Sequence, residues 1–478
     1  MPTTARQDQQ AFELPELSTM GRIRSLFHSR PEYEPLESAP ERDGDSTHVA
    51  GDDDSVTEAS FSWIEYAIFL LLGVAMLWAW NMFLAAAPYF QHRFRTSTWI
   101  LNHFQAAEIS VSTVTNLSSM IALTKLQKGA SYPRRISASL VINTVVFAVL
   151  SLSTLVRTSA GVYFGFLLLA IFFASFSTGL IQNGLFSFAS GFGRSEYTQA
   201  IMTGQAVAGV LPPLAQIMSV FVVHAKKLDD AESADESPTS ALVYFLTATA
   251  ISIIALLAFF YLWGRKGHLD SLVSASKSTA DESSEGDALT GHPRSTNIAN
   301  AEPDERPSVP LTVLFLKMPS LASAVFICFA VTMVFPVFTT SIQSVGSIDS
   351  AIFIPTAFLL WNIGDLLGRL VTLWKAVSLT YYPFALFCLS VARLLFIPLY
   401  FLCNIKGTGA IVSSDFFYWI IVQFFFGFTN GYLGSECMMG SGDWVAPDER
   451  EAAGGFMGLM LVGGLTVGSL LSFLLGDI

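Results

Sequence analysis

Eleven apolar stretches, most of them twenty residues or longer, punctuate the sequence. A hydrocarbon core about 30 Å thick is crossed by roughly 20 helical residues. Inside such a core every backbone polar group must be satisfied within its own segment, so each stretch is expected as a helix. They fall at 61–90, 103–126, 136–156, 160–186, 198–223, 241–263, 321–342, 353–374, 383–403, 416–438 and 451–475. The first is longer than a perpendicular span needs and is expected to tilt or protrude. The chain reads as an all-α polytopic membrane protein with eleven transmembrane helices.

Two polar stretches organise these spans. Residues 1–60 hold 13 acids and 5 bases and are rich in Ser, Pro and Glu. They cannot bury enough apolar area to offset chain entropy, so a disordered acidic cytosolic tail is expected. Residues 267–310 are a second acidic, Ser-rich stretch and read as a disordered cytosolic linker. It separates a six-helix half, residues 61–266, from a five-helix half, residues 311–478. The formal net charge of -12 resides in these two stretches and says nothing about a substrate. No apolar leader precedes residue 60, so the first span is expected to serve as the insertion signal. An odd number of spans puts the termini on opposite sides. Lys and Arg favour the loops that would be inside if the amino terminus is cytosolic, which leaves the carboxyl terminus lumenal or extracellular.

Several chemistries are missing. There is no GxxxxGK[ST] loop for ATP, no HExxH or GxSxG motif, no arginine ladder and no TVGYG filter. The cysteines, Cys328, Cys388, Cys403 and Cys437, form no CxxC pair, and the histidines show no metal-ligand spacing. No enzyme activity, cofactor, metal or nucleic-acid partner is expected. A polytopic bundle with sparse buried polar groups suits a carrier of a small solute by alternating access.

Among those polar groups, Asp365 and Arg369 stand out. Four residues apart on a helix, they share a face one turn apart. At mid-membrane each charge would cost roughly 2.5–3.5 kcal/mol on insertion scales. Such a pair is kept where it faces a protein interior or a wet cavity, as a functional site or as an ion pair that locks the bundle. The remaining inventory is Asn81, Glu108, Gln182, Asn183, Gln205, Asn362, Asn430 and Glu436. A carboxylate beside a guanidinium suits a vicinal diol as well as an ion. Amides such as Gln182 and Asn362 match a nucleobase edge, and Trp80 and Phe358 offer faces to a flat ring. Gly204 and Gly209, Gly454 and Gly458, and Gly464 and Gly468 mark close helix contacts. Pro212, Pro213 and Pro336 mark kinks.

Read together, these residues resemble the equilibrative nucleoside transporter family, and the long acidic tail is similar to its fungal branch. The matching motifs are Trp80-Asn-Met-Phe, Gln182, and Tyr197-Thr-x-x-Ile-Met-x-Gly-Gln-x-x-Ala-Gly209. Phe335-Pro336, Phe358-x-x-x-Asn-Ile-x-Asp-x-x-Gly-Arg369, Thr429-Asn-Gly-Tyr-Leu433 and Pro447-x-Glu-x-Glu-Ala-Ala-Gly454 complete the set. The resemblance implies a 6+5 major-facilitator-like bundle that moves nucleosides, and possibly nucleobases, down their gradient. It implies that Asp365 and Arg369 engage the ribose hydroxyls, Gln182 the base, and Leu77 and Trp80 the pocket wall, with Asn362 as a further pocket position. It implies a thin outer gate of Leu84, Pro336 and Phe358. Departures are Ala79 where Pro is common, Thr178 where Gly is common, and Glu436 where an apolar residue is usual. A proton-coupled symporter, through Glu108 or Glu436, is the alternative, and a non-transporting receptor or scaffold a third reading. Tyr33-Glu-Pro-Leu36 has the form read by sorting adaptors and, with the tail, suits a vacuolar or other internal membrane, with the plasma membrane as the alternative.

Overall fold

The computed structural model describes residues 61–127, 129–226, 238–284, 308–346 and 348–473. The acidic tail with Tyr33–Leu36, and residues 285–307 of the linker, lie outside the described residues. Before the linker the helices are α1 (Trp63–Ala85), α2 (Ala87–Phe94), α3 (Thr98–Lys125), α4 (Tyr132–Ser153), α5 (Ala160–Ser190), α6 (Ser195–Lys226) and α7 (Pro238–Ser284). After it come α8 (Leu311–Lys317), α9 (Pro319–Thr332), α10 (Val334–Ser341), α11 (Ser350–Val371), α12 (Pro383–Ala392), α13 (Phe396–Phe401), α14 (Phe425–Gly440) and α15 (Arg450–Phe473). Among the described residues there is no strand, only one isolated bridge between Ile342 and Ile405.

Nine helical bodies are long and apolar enough to cross a membrane among the described residues. Two of the eleven expected spans fall outside that set, each for a physical reason. Helix α3 has 28 residues but carries Asn, Gln, Glu, Ser and Thr on much of its surface. The stretch from Phe417 is apolar, but its first eight residues, Phe417–Phe424, form a π-helix that passes into α14. Helix α7 runs beyond its expected end at Trp263 to Ser284, because no proline interrupts it after Pro238. The expected seventh span is broken at Met333. Pro336 has no N–H to offer the carbonyl three to four residues back, and the helix restarts there as α10.

Close helix contacts position the centre of the molecule. Helices α11 and α14 meet through four glycines. A Cβ on Gly364 would lie 2.2 Å from Phe424 O, one on Gly368 2.1 Å from Phe428 O, and one on Gly427 2.0 Å from Trp361 O. At Gly431 it would lie 1.9 Å from Asp365 O. Only hydrogen fits, so the two backbones touch and the side chains between them are forced into register. Gly204 does the same for α6 against α1, where a Cβ would meet Leu70 O at 2.0 Å. The two helix sets pack on each other where α6 lies against α11 and α14, and where α15 lies against α5 and α3.

The apolar core differs between the two ends. At one end a single cluster joins both sets, with Phe69, Leu72 and Phe186 packed in continuity with Leu321, Val325 and Phe456. At the other end the packing separates into one cluster around Phe90, Phe147 and Phe245 and another around Phe338, Phe353 and Tyr400.

Candidate functional site

A cavity of about 600 Å³ opens between helices of the two sets, within the size range of small-molecule sites. Helices α1, α3 and α5 line it on one side, and the α9–α10 junction and α15 on the other. One wall is polar. Ser175 Oγ donates to Ser112 Oγ at 2.9 Å, and Asn116 Nδ2 reaches Gln182 Oε1 at 3.4 Å. Among the described residues no hydrogen bond is made by Gln182 Nε2, and the amide borders the cavity. Apolar surface comes from Leu77, Trp80 and Phe83 of α1 and from Met333, Pro336 and Val337, while α15 adds Thr466, Ser469 and Ser472. A slot with one polar edge and apolar faces fits a flat heteroaromatic ring.

Of the nine expected pocket and gate residues, four border the same space, Leu77, Trp80, Gln182 and Pro336, as do Ala79 and Thr178. Five do not: Asp365, Arg369, Asn362, Leu84 and Phe358. Leu84 is 54% exposed near the end of α1. Phe358 sets its edge on Phe335, whose face stacks on Trp361 at 4.3 Å. Asn362 turns its amide back to Phe358 O at 2.8 Å and abuts Gly209 of α6.

Asp365 and Arg369 are buried together at the contact between α11 and α6. Arg369 Nε donates to Asp365 Oδ2 at 2.8 Å. Its Nη1 donates to Met202 O and, at 3.4 Å, to Gln205 Oε1. The Arg369 carbonyl accepts from Gln199 Nε2 at 2.9 Å. Met202, Gln205 and Gln199 all belong to α6, so the guanidinium joins the two helix sets. Asp365 Oδ1 accepts from Asn430 Nδ2 at 2.7 Å. Both Asp365 oxygens and Arg369 Nε and Nη1 thus have protein partners here, and both side chains are buried.

Other buried acids sort differently. Glu436 accepts from Ser378 Oγ at 2.9 Å and from Leu379 N at 2.7 Å, fastening the turn after α11. Glu108 is buried on α3 with Oε1 unpartnered, one turn before Ser112. Sequence reading does not single out Asn116 or Arg393. Both carried a signal, since each is a strongly polar side chain inside an apolar span.

The family model described as "Nucleoside transporter" matches residues 168–476, about two thirds of the chain. This chain belongs to the nucleoside transporter family. It is a transporter and not an enzyme, and a multi-pass membrane protein. The transporter is 32% identical to nucleoside transporter FUN26 of Saccharomyces cerevisiae over 448 residues, covering 86% of this chain and 83% of the yeast protein. It is 28% identical to human equilibrative nucleoside transporter 1 over 455 residues, covering 86% of this chain and 96% of the human one. Human equilibrative nucleoside transporter 2 is 30% identical over 451 residues, covering 85% and 95%. Among solved structures, the transporter superposes on the fucose:proton symporter FucP of E. coli with a TM-score of 0.51 at 13% identity, covering 87% of this chain and 96% of that one. The proton:xylose symporter XylE gives 0.55 at 10% identity, covering 87% and 89%. Both similarities concern the fold, which is that of the major facilitator superfamily.

Proposed function

We propose that the transporter is a facilitative carrier of nucleosides, working by alternating access between the helix sets on either side of the linker. The observation that carries this reading is the cavity itself. Gln182 offers an unpartnered donor along one wall while Trp80, Leu77 and Pro336 form the apolar faces. The base sits in that slot. The ribose is gripped by Asp365 and Arg369 once Arg369 exchanges Met202 O and Gln205 for sugar hydroxyls, and Asn362 adds a polar contact as α11 separates from α6. Leu84, Pro336 and Phe358 form the thin outer gate in this reading. Nucleobases fit the same slot without the ribose contacts.

The amino terminus is cytosolic and the carboxyl terminus lumenal or extracellular in this reading, which follows the Lys and Arg distribution of the loops. This reading favours a vacuolar or other internal membrane, with the plasma membrane as the alternative and Tyr33–Leu36 as a docking sequence for a sorting adaptor. A fluorescent fusion of the full chain, with and without Tyr33→Ala, tests both points.

Reconstituted into liposomes without ATP, the transporter should equilibrate labelled adenosine and uridine and stop at equal concentrations. Failure to move either nucleoside would sink the reading. One observation favours a second mode, coupling to protons: the buried, unpartnered Glu108 beside the cavity wall. Accumulation above equality under an imposed proton gradient, lost in Glu108→Gln, would select it.

A further inference from the structure

Arg393 lies in a short turn between α12 and α13, with 2% of its surface exposed. Its guanidinium is held wholly by neutral groups. Nη1 donates to Cys328 O and, at 3.1 Å, to Thr332 Oγ1, with Cys328 Sγ at 3.0 Å. Nε donates to Thr429 Oγ1 at 3.3 Å, Nη2 reaches Phe426 O at 3.4 Å, and the Phe426 ring lies 4.6 Å away. Among the described residues no carboxylate ion-pairs with it. A buried cation without a counter-charge is costly, and one inside an apolar span points to a role.

The hydrogen bonds lead from this cation to the proposed sugar site. Thr332 Oγ1 accepts from Arg393 and donates to Asn430 Oδ1 at 2.6 Å. The hydroxyl's alternative acceptor, Cys328 O at 2.8 Å, already accepts from Arg393, and the contact to Asn430 Oδ1 is the shorter of the two. With donors on that side, the Asn430 amide must turn its oxygen toward them and its NH2 toward Asp365, where Nδ2 meets Oδ1 at 2.7 Å. Flipping the amide would set its oxygen against the carboxylate.

We propose that Arg393 is a positioning residue for Asp365, acting through Thr332 and Asn430. It fixes the polarity of that chain, so Asp365 Oδ1 stays anchored when Arg369, bonded to Oδ2, swings toward a sugar. This rests on the reading that Asp365 engages ribose, and the experiment separates the two. The full-length transporter is reconstituted and uptake of adenosine is compared with that of 2′,3′-dideoxyadenosine, which lacks the hydroxyls. Asp365→Asn tests the reading itself: it should lose the preference for adenosine. Arg393→Met and Thr332→Val test the inference. Each should raise the KM for adenosine about tenfold, the loss of a hydrogen bond to a charged group, while the dideoxy KM stays put. Arg393→Lys should restore most of the preference.

If Arg393→Met is not recovered folded, Thr332→Val decides, because it keeps the shape and removes only the bridging hydroxyl. A fall in Vmax for both substrates with unchanged KM values would mean that Arg393 merely packs the helices, and would overturn the inference. So would a wild-type preference in Thr332→Val where Asp365→Asn has lost it.

Discussion

Asn430 on α14 and Arg369 on α11 hold the two oxygens of the Asp365 carboxylate from opposite sides, at 2.7 and 2.8 Å. The carboxylate cannot rotate without breaking one of them. It is held by a neighbour on its own helix and by a residue of a distant one, so it keeps one anchor if Arg369 changes partner.

Replacing either member of the pair should abolish flux. Arg369→Met strands a buried carboxylate, and Asp365→Leu strands a guanidinium. Breaking a buried pair in this way costs about 3–5 kcal/mol of stability. The double variant removes both charges and should recover much of that loss without recovering transport. Flux in liposomes and thermal unfolding of the same preparations check this, and normal flux in either single variant would remove the pair from the site.

Gln182→Leu should leave folding intact, because among the described residues the amide's one hydrogen bond is the long contact to Asn116 at 3.4 Å. It should raise the KM for adenosine and uridine about tenfold, as a lost neutral hydrogen bond of about 1 kcal/mol or slightly more would. Unchanged KM values for both nucleosides would place the base elsewhere.

The seam between α11 and α14 has no room for a methyl group. Gly431→Ala would drive a Cβ to within 1.9 Å of Asp365 O, and such overpacking costs about 1–3 kcal/mol. Gly264→Ala, which meets nothing within 4 Å on α7, is the control and should be neutral or slightly stabilising. A lower melting temperature in the first variant only is the expected outcome.

Adenosine at one hundred times its Kd should raise the unfolding free energy by about 2.7 kcal/mol, provided that it binds only the folded chain. The thermal shift should be missing for glucose and reduced in Gln182→Leu. A shift with glucose equal to that with adenosine would point to a different solute.

Much of the architecture was legible in the sequence because hydropathy reports the transfer of a segment into lipid. The signal is weakest at α3, the expected span at 103–126, whose Ser112, Thr113 and Asn116 border the cavity. Spacing correctly put Asp365 and Arg369 on one face of α11. It could not show that this face meets α6, so the bonds to Met202 and Gln205 were hidden. Helix periodicity describes one helix at a time, and a partner such as Asn430, 65 residues away in the chain, becomes visible only once the glycine seam fixes which helices touch. Arg393, midway along the expected span 383–403, carried a signal in its charge, but only tertiary packing reveals that Cys328, Thr332 and Thr429 hold it.

The uneven packing at the two ends bears on how turnover is timed. Where Phe69 and Phe186 share one core with Leu321 and Phe456, the helix sets act like jaws joined at a pivot. Passing a solute to the other side requires that this pivot be taken apart and rebuilt from the clusters around Phe90 and Phe338. An empty carrier must make that journey with no cargo to compensate for the exposed apolar surface.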